Sequence, residues 1–256
     1  MTTLIDNKLF VVFLAPFLLG VITIFGFSPY NFTFVNFFTF SILLFLILII
    51  KKKTLSTYRK KKSNRYFFYL GCAFGFGFFL IGNYWITISL THDEMFIGLI
   101  PFALILIPLF LSIFFGLACL SIGSFVEKKI YFILLFSLVF SIFEFARGNL
   151  LTGFPWNLIS YTWSWSHESI QVLSLIGTYS LSLISLTFFC IPFLFFQFFF
   201  EKIKMEYKIL LSRINLNCMC RQKIIFVLFL MTKTMYKKLN SKESPLINAL
   251  SKIQIK

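Results

Sequence analysis

Glu144 and Arg147 stand three residues apart at the end of an apolar run, and Gly153-Phe154-Pro155-Trp156 follows closely. On a helix that spacing puts an acid and a base on one face, where they can pair. Ionisable groups at membrane depth are costly and are usually partnered or functional. Two readings of the pair follow. It is a structural ion pair that anchors the next loop, or Arg147 offers its planar fork to the phosphate of a lipid. The tetrapeptide after it is a backbone device. Proline fixes its own φ and pushes Phe154 out of helix, while Gly153 permits a tight turn. Trp156, Tyr161, Trp163 and Trp165 crowd the same loop, as side chains of an interfacial aromatic belt do.

Other residue groups carry less chemistry. Asn83, Tyr84 and Trp85 close another apolar run and either join the aromatic belt or line an outward-facing cavity. Gly71, Gly75 and Gly82 share a face of that run, which suits close approach of a second helix better than a ligand role. His167-Glu168 has no serine or cysteine placed beside it as a nucleophile, so it is not read as a catalytic couple. Cys72, Cys119 and Cys190 lie in apolar runs, where a thiol behaves as a small hydrophobe. His92 and His167 are far apart, no metal-ligand spacing occurs, and neither a metal nor a cofactor is expected. No residue of the chain is assigned a catalytic role.

The elements that position these residues are set by composition. With 59% hydrophobic residues, 39 phenylalanines and only 13% charged residues, the chain cannot supply the polar skin of a soluble domain. The expected fold is all-α, a polytopic transmembrane bundle, because lipid offers backbone groups no partners. About six runs reach the roughly 17–25 residues that a crossing needs. They fall near 9–27, 32–50, 66–90, 96–125, 130–146 and 169–200 within a membrane domain of residues 1–200. A basic tail, 201–256, follows with a short incomplete seventh apolar run at 223–231.

The net charge of +15 is concentrated in connecting segments. Lys51, Lys52, Lys53, Arg59, Lys60, Lys61, Lys62 and Arg65 lie between two apolar runs, which points to a cytoplasmic loop and against nucleic-acid binding. Parity then puts Lys128 and Lys129 on that side too, with the N-terminus, and the Arg147–His167 loop on the other. Cys218 and Cys220 would be cytoplasmic and reduced.

Four pieces, in order, resemble the membrane part of bacterial apolipoprotein N-acyltransferases. They are Phe27-Ser28-Pro29-Tyr30-Asn31; Gly75 to Leu80 with Asn83-Tyr84-Trp85-Ile86; Glu144 to Gly148 with Thr152 to Trp156; and Gly177-Thr178-Tyr179-Ser180-Leu181-Ser182. The third is the specific one. The resemblance implies a bacterial inner-membrane location and phospholipid-dependent N-acylation of the lipid-modified N-terminal cysteine of lipoproteins. Membrane phospholipid and an apolipoprotein are the partners it implies. It implies a lipid-binding role for Glu144, Arg147, Gly153, Phe154, Pro155, Trp156, Tyr84 and Trp85. It also implies that the Glu, Lys and Cys of catalysis belong to a nitrilase-like domain, which the chain after Phe200 is too short to hold. A truncated chain, inactive alone, is therefore expected. The alternative is a non-enzymatic lipid-binding membrane protein, or the partner of a separate catalytic subunit.

Overall fold

The computed structural model describes residues 9–55, 60–92, 94–123, 125, 130–150 and 153–199. Expectations for the 201–256 tail, its 223–231 run, Cys218, Cys220, Lys128, Lys129 and Thr152 fall outside them. Among the described residues there is helix and no strand. A π-helical turn, Phe10–Leu14, opens into α1 (Ala15–Thr23), which tightens into a 3-10 turn at Ile24–Gly26. Pro16, without an N–H, falls where the hydrogen-bond register changes from one helix type to the other. Then come α2 (Val35–Leu55), α3 (Lys60–Gly82) and the short α4 (Trp85–Leu90). A 3-10 segment, Glu94–Leu99, leads into α5 (Ile100–Gly123), followed by α6 (Ile130–Asn149). A second 3-10 segment, Ile159–Trp163, precedes α7 (His167–Ile176) and α8 (Thr178–Phe189), and residues 191–199 are again helical.

Asn64–Gly82, Glu94–Gly123, Tyr131–Asn149 and Thr178–Phe199 are long and apolar enough to cross a membrane, and Phe10–Gly26 and Val35–Lys51 are shorter apolar helices. The protein is a helical membrane bundle. Two of the expected runs are interrupted. The run at 66–90 stops as a helix at Gly82, turns at Asn83-Tyr84 and restarts as α4. The run at 169–200 is cut at Gly177, whose φ of +82 is open to glycine and strained for other residues. Its first piece, α7, has no buried residue.

Glycines set the spacing between helices. A methyl at Gly71 would meet the Gly116 Cα at 2.9 Å, and one at Gly75 would meet the Ser112 Cα at 3.0 Å, so both let α3 lie against α5. Gly82, on the same sequence stripe, instead faces Ile24 and the side chain of Asn157. Gly77 approaches the backbone of Phe17, and Gly20 that of Phe74, so α1 runs close beside α3 and parallel to it. Lipid gives helices no hydrophobic reason to associate, so such close van der Waals contact holds the bundle.

Phenylalanines fill the space that remains. Phe40 of α2 lies 5.8 Å from Phe74, 6.2 Å from Phe140 and 6.0 Å from Phe189, joining α3, α6 and α8. Phe115 of α5 meets Phe140 at 4.6 Å and Phe79 at 5.1 Å. Many others, among them Phe38, Phe102, Phe110 and Phe195, are exposed on the outside, where a membrane protein meets acyl chains. Since α1, α3 and α6 run one way and α2, α5 and α8 the other, loops gather at two ends. One end carries Lys51 and Arg65; the other gathers the segments at 27–33, 83–85 and 153–166.

Candidate functional site

α6 ends at Asn149, and the chain then doubles back through Gly153, whose φ is +70. That conformation favours glycine, and a side chain there would also crowd the Gly148 carbonyl, 2.6 Å from a built Cβ. The doubling back brings the Phe154 N–H to the Arg147 carbonyl at 3.1 Å and the Gly153 N–H to the Leu150 carbonyl at 2.9 Å. Carbonyls in the last turn of a helix have no partner within it, so these bonds also close α6.

Arg147 and Glu144 are both buried, at 2% and 0% exposure. Sequence spacing allows them to pair with each other, but no ion pair between them is found among the described residues. Each holds the loop instead. Arg147 Nη1 donates to the carbonyls of Phe154 and Trp156, both at 2.8 Å. Glu144 Oε1 accepts the Ile159 N–H at 3.1 Å. The guanidinium carbon also sits 4.9 Å from the centre of the Phe79 ring, a cation–π contact that ties the arrangement to α3. Arg147 Nε, Arg147 Nη2 and Glu144 Oε2 have no hydrogen-bond partner among the described residues.

Further polar contacts fasten the loop to other helices, and Asn157, Ser185 and Thr33, which make several of them, were not among the sequence candidates. Asn157 has φ +52, a conformation that asparagine tolerates better than most residues. Its Nδ2 donates to the Gly82 carbonyl at 3.0 Å and to Asn83 Oδ1 at 2.9 Å, capping the end of α3. Ser182 Oγ accepts the Ser160 N–H at 3.1 Å, and Ser185 Oγ accepts the Trp163 Nε1–H at 2.8 Å. Thr33 donates to the Thr162 carbonyl at 2.7 Å. The signal for Asn157 is its position just after Pro-Trp, where a left-handed residue suits a turn. For Ser182 and Ser185 the signal is a spacing of three, which gives one polar edge on an apolar helix.

The predicted site residues therefore fall into two groups at one end of the bundle. Glu144 and Arg147 lie inside, under the loop. Tyr84, Trp85, Pro155 and Trp156 are exposed on top, while Gly153 and Phe154 are half-buried between the groups. Trp85 and Trp156 come from different loops, yet their rings lie 5.2 Å apart. Phe154 is 6.5 Å from Trp156. The result is an exposed aromatic ledge mounted on a backbone that a buried cation and a buried acid hold in place. Among the described residues from Tyr66 to Phe199, Arg147 is the only arginine or lysine.

His167-Glu168 has a capping role. The Ser166 Oγ accepts the Ser169 N–H at 3.2 Å and donates to Glu168 Oε2 at 2.8 Å, starting α7. The Glu168 carboxyl is held below the usual carboxylate range by its own backbone N–H and by the Ser166 hydroxyl. Tyr161 is shifted up, chiefly by burial. Among the described residues no group of three or more His, Cys, Asp or Glu could hold a metal ion.

Residues 19–191 match the family described as apolipoprotein N-acyltransferase N-terminal domain. The chain is 36% identical over 169 residues to the apolipoprotein N-acyltransferase of Rickettsia typhi, an alignment covering 66% of this chain and 32% of that protein. It is 44% identical over 115 residues to that of Rickettsia prowazekii, covering 44% of this chain and 23% of the relative. A third relative, the apolipoprotein N-acyltransferase of Allorhizobium ampelinum, is 28% identical over 174 residues, covering 68% of this chain and 33% of its own. The chain thus spans a third or less of the length of these relatives.

Proposed function

The chain belongs to the apolipoprotein N-acyltransferase N-terminal domain family, and on that footing we propose that its bundle holds the phospholipid donor for N-acylation of a lipoprotein. In that reaction the acyl carbonyl leaves a glycerophospholipid ester oxygen and forms an amide with the α-amino nitrogen of the lipid-modified cysteine. The amine gives up a proton, the glycerol oxygen gains one, and a lysophospholipid is released. The residues described here bind and orient. The nucleophile belongs to a catalytic domain outside residues 19–191, the part that matches the family.

The observation that carries this reading is the exposed Trp85–Trp156 ledge above a buried Arg147. Tryptophan at a membrane interface presents an apolar face to acyl chains and a polar edge to headgroups. Two rings 5.2 Å apart, on a backbone pinned by Arg147 and Glu144, give a fixed surface for the start of an acyl chain, with Tyr84, Phe154 and Pro155 extending it. Glu144 and Arg147 act as positioning residues, and Gly153 supplies the turn. Fixed orientation is a large part of what an enzyme gives an acyl transfer.

The same reading places the protein in the bacterial inner membrane, N-terminus in the cytoplasm. The basic end with Lys51 and Arg65 supports that orientation through the excess of Lys and Arg in cytoplasmic loops. The test uses the chain in nanodiscs with a phosphatidylethanolamine that carries a photoreactive group near the ester. Labelling is expected at the Tyr84–Trp85 and Phe154–Trp156 peptides, and to fall at least fivefold in Trp156→Ala with the thermal midpoint unchanged. Absence of label at this loop overturns the lipid-holding role. Acyl transfer to a diacylated lipopeptide by this chain alone overturns the division of labour.

A further inference from the structure

Along the middle of the bundle, where Tyr69 to Phe76 of α3 face α5, the helices do not close. An open groove of about 660 Å³ runs between the start of α1, α3 and α5. Phe13, Phe17, Tyr69, Cys72, Phe76 and Leu109 form most of its walls. Apart from the thiol of Cys72 and the hydroxyls of Tyr69 and Ser112 the lining is apolar, and Ser112 Oγ already donates to the Leu109 carbonyl at 2.6 Å. Its origin is the uneven spacing of small residues. Gly20 and Gly77 draw α1 onto α3 near the other end. Towards the N-terminus of α1 the facing residues become Phe13 and Tyr69, whose rings stack at 5.8 Å. Two parallel helices pinched at one end and propped at the other leave a wedge.

The wedge has a charged end. Tyr69, Cys72, Ala73 and Phe76 line it, and Arg65 precedes Tyr69 by four residues on α3, so all five share one face of the helix. Arg65 is exposed one turn beyond the last of them. Lys60, Lys61 and Lys62 lie immediately upstream in the sequence, and Lys51 lies four residues before the end of α2. An apolar slot with an exposed arginine one turn beyond its lining, on the same helix face, has the polarity of an anionic phospholipid. Its volume lies within the roughly 300–1,000 Å³ usual for small-ligand sites.

We propose that this groove binds one acyl chain of a glycerophospholipid with a net negative headgroup, the phosphate meeting Arg65. None of Tyr84, Trp85, Phe154, Pro155 and Trp156 lines the groove, so the site stands or falls independently of the donor site. The bound lipid fills the wedge and ties α1 to α3 and α5.

The test takes the full chain, purified in detergent, and titrates it with dioleoyl phosphatidylglycerol or dioleoyl phosphatidylcholine, read by native mass spectrometry. Tighter binding of phosphatidylglycerol is expected, reduced about fivefold in Arg65→Gln, the share of one cation near an anionic headgroup. Phosphatidylcholine binding is expected to be unchanged by that substitution. A phosphatidylglycerol carrying a mid-chain diazirine is expected to label the peptides around Phe13 and Tyr69. Ala73→Phe fills the groove and is expected to abolish that label, while Ala73→Ser retains it and reports on folding. Equal affinity for the two lipids overturns the headgroup assignment. Label spread evenly over α5 and α6, or crosslinks from the groove to residues 200–256 or to a second copy, overturn the lipid.

Discussion

Replacing Arg147 by methionine removes the two hydrogen bonds from Nη1 to the Phe154 and Trp156 carbonyls while keeping an apolar stem of similar length. Hydrogen bonds to a charged group contribute about 1.5–3 kcal/mol each. Removing one partner from a buried charged arrangement costs about 3–5 kcal/mol. The two figures overlap at about 3–5 kcal/mol, and the loss is local, because the bonds hold the loop. At 1.4 kcal/mol per factor of ten, the loop then opens at least about a hundredfold more often. Amide hydrogen exchange on the protein in nanodiscs reads this directly. The Phe154 and Ile159 amides bond to the Arg147 carbonyl and to Glu144 Oε1, so both should exchange about a hundredfold faster in Arg147→Met. The Phe78 amide, inside α3, should change little. A change below threefold at Phe154 and Ile159 would refute the clamp. So would an equal change at Phe78, which would mean that Arg147 supports the whole bundle.

Gly153→Ala forces a side chain onto a φ of +70 and towards the Gly148 carbonyl, and should lower stability by about 1–2 kcal/mol, seen as a lower thermal midpoint in detergent. Asn157→Ala loses two hydrogen bonds to the end of α3, about 0.5–1.5 kcal/mol each; faster exchange should appear in the loop and at the Ile86 amide, with α6 unaffected. Gly71→Ala pushes a methyl against the α5 backbone and should cost about 1–3 kcal/mol as overpacking; a midpoint equal to the wild type would place the α3–α5 contact elsewhere. Glu168 has a depressed pKa, so its contribution is present above the ordinary value of 4.5 and is lost as pH falls through the lower folded value. Exchange of the Ser169 amide should therefore rise as pH is taken down below 4.5, and Ser166→Ala should remove that pH dependence.

Composition alone determines the class of this protein. Lipid leaves backbone groups only helix or closed barrel, and apolar runs of this length suit helix, so the fold class is legible without coordinates. The turn at Gly153-Phe154-Pro155-Trp156 is legible for the same kind of reason, since glycine and proline act on their own backbone. What the polar side chains grip is not local. Arg147 and Glu144 sit at a spacing that suggests a mutual pair, yet they hold a carbonyl seven residues on and an amide fifteen residues on. Asn157 reaches back 75 residues to Gly82, and Thr33 forward 129 residues to Thr162. The breaks at Gly82 and Gly177 and the wedge beside Arg65 depend on which helix lies against which. A buried hydrogen bond is worth most where water cannot compete, and only the packed bundle decides which groups are shut away from water together.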